Sequence, residues 1–305
     1  MRTGTNTAIY FRALDDSVSM NETEIIRRLH DIGFETLDFT VGDPFDPTYI
    51  LRGDDWQQRV DEVANAAAKY GMCFSQIHLP FVRMGNPKLD PHYREPGYAD
   101  FFEQSMHRAY IAASMVGAPW AVAHTCNFPC NCYDREESFE KNHEYYDSYV
   151  ELGIQHGVGT AFENMIQGTK DGNRVRYTGH YSELIEFVDS FHDSMVKICW
   201  DFGHANETGL DQPAALRKVG KRLACVHVND NYRTDDHHTL PFSGTIDWLS
   251  IIPALVDIGY EGDCSLEVGV FTRKAPRKIQ DSFVRVAYEA CRYLCTLFDQ
   301  EQARR

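Results

Sequence analysis

Short runs of β-branched and aromatic residues alternate along this chain with longer stretches in which apolar side chains recur every three or four positions. The first pattern predicts strands and the second helices. Eight runs fit strands: 7–13 (TAIYFRA), 34–40 (FETLDFT), 72–79 (MCFSQIHL), 119–125 (PWAVAHT), 159–165 (GTAFENM), 196–202 (VKICWDF), 223–229 (LACVHVN) and 263–269 (DCSLEVG). Helical spacing fills 21–30, 57–70, 100–116 and 251–258, and 279–298 predicts a terminal helix.

Strands that alternate with helices need parallel crossovers, so the expected fold is α/β. Eight such units close a (β/α)8 TIM barrel, expected here as a single domain over 1–305. An open doubly wound sheet is disfavoured because no glycine-rich nucleotide turn follows any of these strands. Two longer interruptions, 81–100 after the third strand and 126–138 after the fourth, are expected to be extended βα-loops that roof the functional face.

Composition narrows the partners. The 305 residues are 43% hydrophobic and 25% charged, with a formal charge of −15. An acidic surface repels phosphate backbones and anionic lipids, so neither nucleic acid nor membrane is an expected partner. No stretch approaches the length of a membrane span, and the opening MRTGTNTAIYFRAL lacks the apolar core of a secretory signal. Cys73, Cys199, Cys225 and Cys264 fall in strand-like runs, where a free thiol acts as a small hydrophobe. That usage fits a cytoplasmic protein better than a disulfide scaffold. Cys126, Cys130 and Cys132 lack the paired spacing of a zinc site and are expected to shape a loop. Cys291 and Cys295, four apart, should share one helix face.

The chemistry sits at the strand ends. The third run ends with His78, the fourth with His124 and the fifth with Glu163; the sixth offers Asp201 with His204 three residues on. The seventh brings His227 and the eighth Glu267. In a barrel these ends converge on one face. Glu163, Asp201, His227 and Glu267 would offer three carboxylates and one imidazole, a donor set suited to Mn²⁺, Mg²⁺ or Co²⁺ more than to Zn²⁺. Without a cation the carboxylates would repel one another.

AFENM (Glu163), WDFGH (Asp201, His204), HVNDNYR (His227, Arg233) and SLEVG (Glu267) together resemble the xylose isomerase-like barrel superfamily, in its sugar isomerase and epimerase branch. Within that branch the pattern is most similar to ketose 3-epimerases. The resemblance implies that Glu163, Asp201, His227 and Glu267 bind one divalent metal ion, with Mn²⁺ foremost, and that Glu163 and Glu267 are the catalytic proton-transfer pair. It implies sugar contacts for His204 and Arg233, with His78 and His124 on the same substrate-facing wall. It also implies a sugar isomerase or epimerase working through a metal-stabilised enediolate, and a homo-oligomer. No glycine-rich phosphate cradle follows the seventh or eighth run, which favours an unphosphorylated sugar or a glycoside as substrate.

Three other readings share this barrel. Apurinic endonucleases hold three zinc ions, and their nine-ligand pattern can be laid over the same strand-end residues with Asp236 and His238 added. The charge of −15 weighs against a DNA substrate, and Phe242 stands where that pattern has a glycine. Asp236 and His238 are therefore either extra metal ligands or pocket-wall residues. Metal-dependent C-glycoside deglycosylases need a small partner subunit. A non-catalytic sugar-binding relative would have no need of two opposed glutamates.

Overall fold

Eight strands run in chain order: β1 Thr3–Asn6, β2 Thr36–Thr40, β3 Cys73–His78, β4 Trp120–His124, β5 Gly159–Glu163, β6 Val196–Asp201, β7 Leu223–His227 and β8 Cys264–Leu266. This computed structural model describes residues 1–16, 20–41, 49–81, 97–128, 133–166 and 176–305. The strands are parallel neighbours in the order β7-β6-β5-β4-β3-β2-β1-β8. The two ends of that order meet, because the Val228 N–H donates to Ser265 O at 2.8 Å and the Glu267 N–H to Val228 O at 3.0 Å. The sheet thus curls into a TIM barrel.

Helices α1 Glu22–Ile32, α2 Trp56–Lys69, α3 Tyr98–Val116, α4 Arg135–Gln155 and α5 Tyr181–Ser190 follow in turn. After them come α6 Phe202–Thr208, α7 Gln212–Val219, α8 Trp248–Asp257, α9 Gly269–Thr272 and α10 Gln280–Ala303. The local logic is visible in α1. Asn21 accepts the Thr23 N–H at 2.9 Å as an N-cap, while Ile25, Ile26, Leu29 and Ile32 form one buried stripe. None of the helices among the described residues is long and apolar enough to cross a membrane.

Strand alternation sorts the side chains into two cores. Phe39, Ile77, Phe162, Trp200 and Val226 belong to the large cluster between sheet and helices. Val122, Ala161, Cys199 and Cys225 form a separate small cluster in the barrel interior. Two residues further along the same four strands stand His124, Glu163, Asp201 and His227. The register aligns them, His124 beside Glu163 and Asp201 beside His227. A tier of small side chains is thus the floor beneath a tier of ionisable ones. Lower still, Trp120 needs the missing side chain of Gly159: a Cβ there would meet the indole at 2.3 Å and Met195 O at 2.7 Å.

The structure corrects the sequence reading in places. The first strand is Thr3–Asn6, and the expected strand over 7–13 opens instead as a 3₁₀ turn, Thr7–Tyr10. The residues of TAIYFRA have strand-like propensity, but Ile9 and Tyr10 are buried above the strand rather than in the sheet. Residues 7–13 therefore belong to the first βα-loop, on the functional face. Cys73 is exposed at the start of β3, 3.1 Å from Arg2 Nη1, whereas Cys199, Cys225 and Cys264 are buried. The interruption at 126–138 is shorter than expected, since α4 already begins at Arg135. Most of 81–100, together with Cys130 and Cys132, lies outside the described residues; Cys126 is buried and free. Cys291 and Cys295 share the buried face of α10 and meet Cys264 of β8.

Candidate active site

Glu163, at the end of β5 and only 1% exposed, is the hub of the site. Its Oε2 lies 3.0 Å from His124 Nε2, 3.1 Å from His227 Nδ1 and 3.8 Å from His78 Nε2. Its Oε1 lies 3.2 Å from His204 Nδ1. Glu267 reaches the same place from β8, with Oε2 at 3.4 Å from His227 Nδ1.

Several histidines have one ring nitrogen fixed by the protein while the other faces the site. His78 Nδ1 is 2.8 Å from Leu79 O, His204 Nδ1 is 2.8 Å from Asn164 O and His238 Nδ1 is 2.8 Å from Glu267 O. A carbonyl can only accept, so Nδ1 carries the hydrogen in each and Nε2 is turned inward. His227 is reversed. Its Nε2 donates to Asp38 Oδ2 at 3.1 Å, which leaves Nδ1 buried without a hydrogen-bond donor, facing both glutamates. Asp38 is held in turn by the Gln76 amide at 3.0 Å. A carboxylate behind an imidazole in this way fixes its tautomer and raises its basicity as a ligand.

Asp201 is fully buried at the end of β6. Its Oδ1 caps α6 by accepting the His204 N–H at 2.6 Å, and its Oδ2 accepts from Asn229 Nδ2 at 2.7 Å. Asn164 clamps the ends of β5 and β6, accepting the Asp201 N–H at 2.7 Å and donating to Asp201 O at 2.9 Å. Gly203 makes room for Asn229, whose Oδ1 would lie 1.9 Å from a Cβ at that position.

The segment after β7 carries the remaining candidates. Asp230 is buried and anchors it, accepting from Trp248 Nε1 at 3.0 Å and from the Asn231 and Ile246 N–H groups at 2.9 and 3.2 Å. Beyond this anchor, Asp236 Oδ2 lies 2.9 Å from His238 Nε2 and 3.6 Å from His204 Nε2. Arg233 is exposed, and its Nε donates to Asn206 Oδ1 at 3.1 Å. Arg233, His238 and Phe242 have left-handed backbones, at φ 60°, 43° and 71°. Phe242 thus occupies a conformation that glycine adopts without strain.

Burial pushes Glu163 upward, but the imidazoles of His227 and His124 outweigh it and hold its pKa well below the usual carboxylate range. Burial, aided by Glu163 and Asp201, leaves Glu267 raised to about 7 despite His227 and His238. Burial opposes charge on His238, yet Asp236 and Glu267 raise it to about 10. Burial beside His124 lowers His78 to about 3. In the metal-free protein, protons on histidines therefore balance the converging carboxylates.

Glu163, His227 and Glu267 fit a divalent cation, while both oxygens of Asp201 accept hydrogen bonds from the His204 N–H and Asn229. Ligands around an ion at about 2.0–2.2 Å lie roughly 3.0–3.6 Å from one another. The 3.1 and 3.4 Å spacings around the unpartnered His227 Nδ1 fall in that range. His78 with His124 and Glu163, and His204 with Asp236 and His238, form two further groups whose ligand atoms lie within 4.8 Å of one another.

Next to this cluster opens a cavity of about 300 Å³, bounded on one side by His78, His238 and Glu267 and elsewhere by apolar groups such as Phe11, Tyr49, Ile50 and Phe81. Asp38, Gln76, Asn164 and Asn229 were not among the candidates read from sequence. Asp38 carried a usable signal, a charged residue between Leu37 and Phe39 in a strand, because buried charges need partners.

The chain is thus a TIM barrel whose strand ends bring carboxylates and imidazoles together on one face. Residues 26–298 match the xylose isomerase-like TIM barrel family, and the chain belongs to it. An uncharacterized protein of Methanocaldococcus jannaschii is 24% identical over 247 residues, 80% of this chain and 83% of that one. The D-psicose 3-epimerase of Ruminiclostridium cellulolyticum is 23% identical over 220 residues, 68% of each chain. A D-tagatose 3-epimerase-like protein of known structure superposes with a TM-score of 0.72 over 99% of both chains at 18% identity.

Proposed function

We propose that the protein is a divalent-metal-dependent sugar isomerase or epimerase. The observation that carries this reading is the convergence of Glu163 and Glu267, from β5 and β8, on His227 Nδ1 at 3.1 and 3.4 Å. Similarity to a D-psicose 3-epimerase over two thirds of the chain supports it. Glu163, Asp201, His227 and Glu267 would hold one cation, Mn²⁺ foremost. When bound, that ion polarises a sugar carbonyl and makes the neighbouring C–H acidic.

The chain's own residues supply the proton traffic. One glutamate removes the proton from the carbon beside the carbonyl and the other returns a proton. Return to the opposite face of that carbon inverts it, while return to the adjacent carbon interconverts aldose and ketose. Glu267 lines the open cavity, and Glu163 is steered by four imidazoles. His204 and Arg233 orient sugar oxygens, with His78 and His124 forming the wall behind Glu163.

Solvent-deuterium exchange into candidate ketoses with Mn²⁺ present tests this reading. Glu163→Gln and Glu267→Gln should each abolish turnover in a folded protein. Near-normal turnover in either variant would remove the assignment.

A second reading, a zinc phosphodiesterase with three ions, is favoured by the two outer groups, His78–His124–Glu163 and His204–Asp236–His238. The chain's charge of −15 opposes a nucleic-acid substrate. One divalent equivalent restoring exchange to chelated protein supports the first reading; three tightly held zinc ions support the second.

A further inference from the structure

We propose that the cavity beside the active site takes a sugar carrying a terminal anionic group, phosphate ester or carboxylate, bound by Arg12 and Arg273. This rests on the sugar-converting reading for the identity of the ligand's other end. It departs from the expectation of an uncharged substrate, and the corrected first strand explains why. Arg12 follows the 3₁₀ turn of the first βα-loop, in a segment whose sequence reads as part of a strand.

Both arginines line the cavity that His78, His238 and Glu267 bound on another side. A single ligand in this cavity can therefore reach both arginines and the carboxylate–imidazole cluster. Neither arginine forms an ion pair with another described residue. Several other arginines are engaged by carboxylates, as in Arg2–Asp263, Arg28–Asp281, Arg217–Asp257 and Arg222–Asp189. On a chain of net charge −15, two arginines with no ion-pair partner among the described residues stand together at one cavity. Glu22 and Glu267 are the carboxylates among the described lining, and burial raises the pKa of Glu22, which weakens its claim on the arginines.

The two loops are built as one frame. Thr272 Oγ1 donates to Ile9 O at 2.6 Å, and the Leu14 N–H donates to Ala275 O at 2.9 Å. Gln280, fully buried, donates from Nε2 to the backbone oxygen of Arg12 at 2.7 Å. Arg277 Nη1 donates to Tyr10 O at 2.7 Å. The backbones that carry Arg12 and Arg273 are thus fixed relative to one another before any ligand arrives, which favours recognition by two positioned guanidinium groups.

Binding of unreactive sugar alcohols separates this proposal from the catalytic reading, because an alditol has no carbonyl to turn over. Calorimetry would compare D-arabinitol, D-arabinitol 5-phosphate and D-arabinonate on the wild-type protein and on Arg12→Gln, Arg273→Gln and the surface control Arg285→Gln. We expect an anionic probe to bind about tenfold or more tightly than arabinitol, with a preference that weakens as salt rises. Each of the two cavity substitutions should reduce that preference several-fold, Arg12→Lys should recover part of it, and Arg285→Gln should leave it intact. Preference for the 5-phosphate identifies a phosphate ester, and preference for the aldonate a carboxylate. No anionic preference, or one that survives both cavity substitutions, overturns the proposal. If the preference is found while no ketose exchanges deuterium, the anion site stands and the isomerase reading falls.

Discussion

His227 Nε2 lies 3.1 Å from Asp38 Oδ2 in the barrel interior, and neither side chain is more than 1% exposed. The pair fixes which nitrogen of His227 faces Glu163 and Glu267. Asp38→Asn keeps the shape and removes the charge behind the imidazole. Its expected effect is a ~10–100-fold loss of Mn²⁺ affinity in a folded barrel. Titration calorimetry measures it, and unchanged affinity would show that Asp38 is only a packing partner.

Gly203→Ala should disturb the site from α6, two residues beyond the end of β6. The new Cβ would meet Asn229 Oδ1 at 1.9 Å, so the amide must move and release Asp201 Oδ2. Weaker metal binding with little loss of secondary structure is expected, read by calorimetry and circular dichroism on the same sample. Wild-type affinity in this variant would exclude Asp201 orientation as a contributor.

Gly159→Ala should act on stability instead. Its Cβ would press on the Trp120 ring at 2.3 Å and on Met195 O at 2.7 Å, and a backbone oxygen in a strand-flanking segment yields little. A loss of about 1–3 kcal/mol is expected from denaturant unfolding. A neutral result would mean that the barrel floor can expand.

Metal-free protein should lose stability as pH rises from neutrality. The folded pKa of His238 is raised to about 10, above an ordinary value of about 6.5, so its contribution is complete below that value and vanishes as pH passes 10. His227 is raised as well, against burial, by Glu267 and Glu163. His78 acts in the opposite sense, but only below its ordinary value. Melting temperatures in chelator from pH 6.5 to 10 should fall, and His238→Gln should flatten the slope. A slope unchanged by that substitution would assign the loss to other groups.

The βα rhythm exposed the barrel because each strand from the third onward kept a hydrophobic run followed by an ionisable residue at its end. β1 escaped because TGTN is polar and short, and its neighbours Ile9 and Tyr10 draw attention to the wrong residues. His78, His124, His204 and His227 meet around Glu163, and Glu267 joins them at His227, because one position per strand was enough to place them. The supporting groups were less legible for a physical reason. Asp38, Gln76, Asn164 and Asn229 act through partners on other strands, and a single strand's pattern does not reveal its cross-barrel neighbours. Arg12 was hidden by the same misplacement that moved β1.

The two-tier interior makes this site a matter of counting. Glu163 faces inward because it stands an even number of residues from Ala161, as His227 does from Cys225. Removing one residue between Gly159 and Glu163 would exchange the faces of the strand end, sending the carboxylate toward the helices and the Phe162 ring into the site. Change in such a barrel is therefore quantised: substitutions can retune the chemistry freely, while insertions and deletions within β4–β7 must come in pairs or erase it.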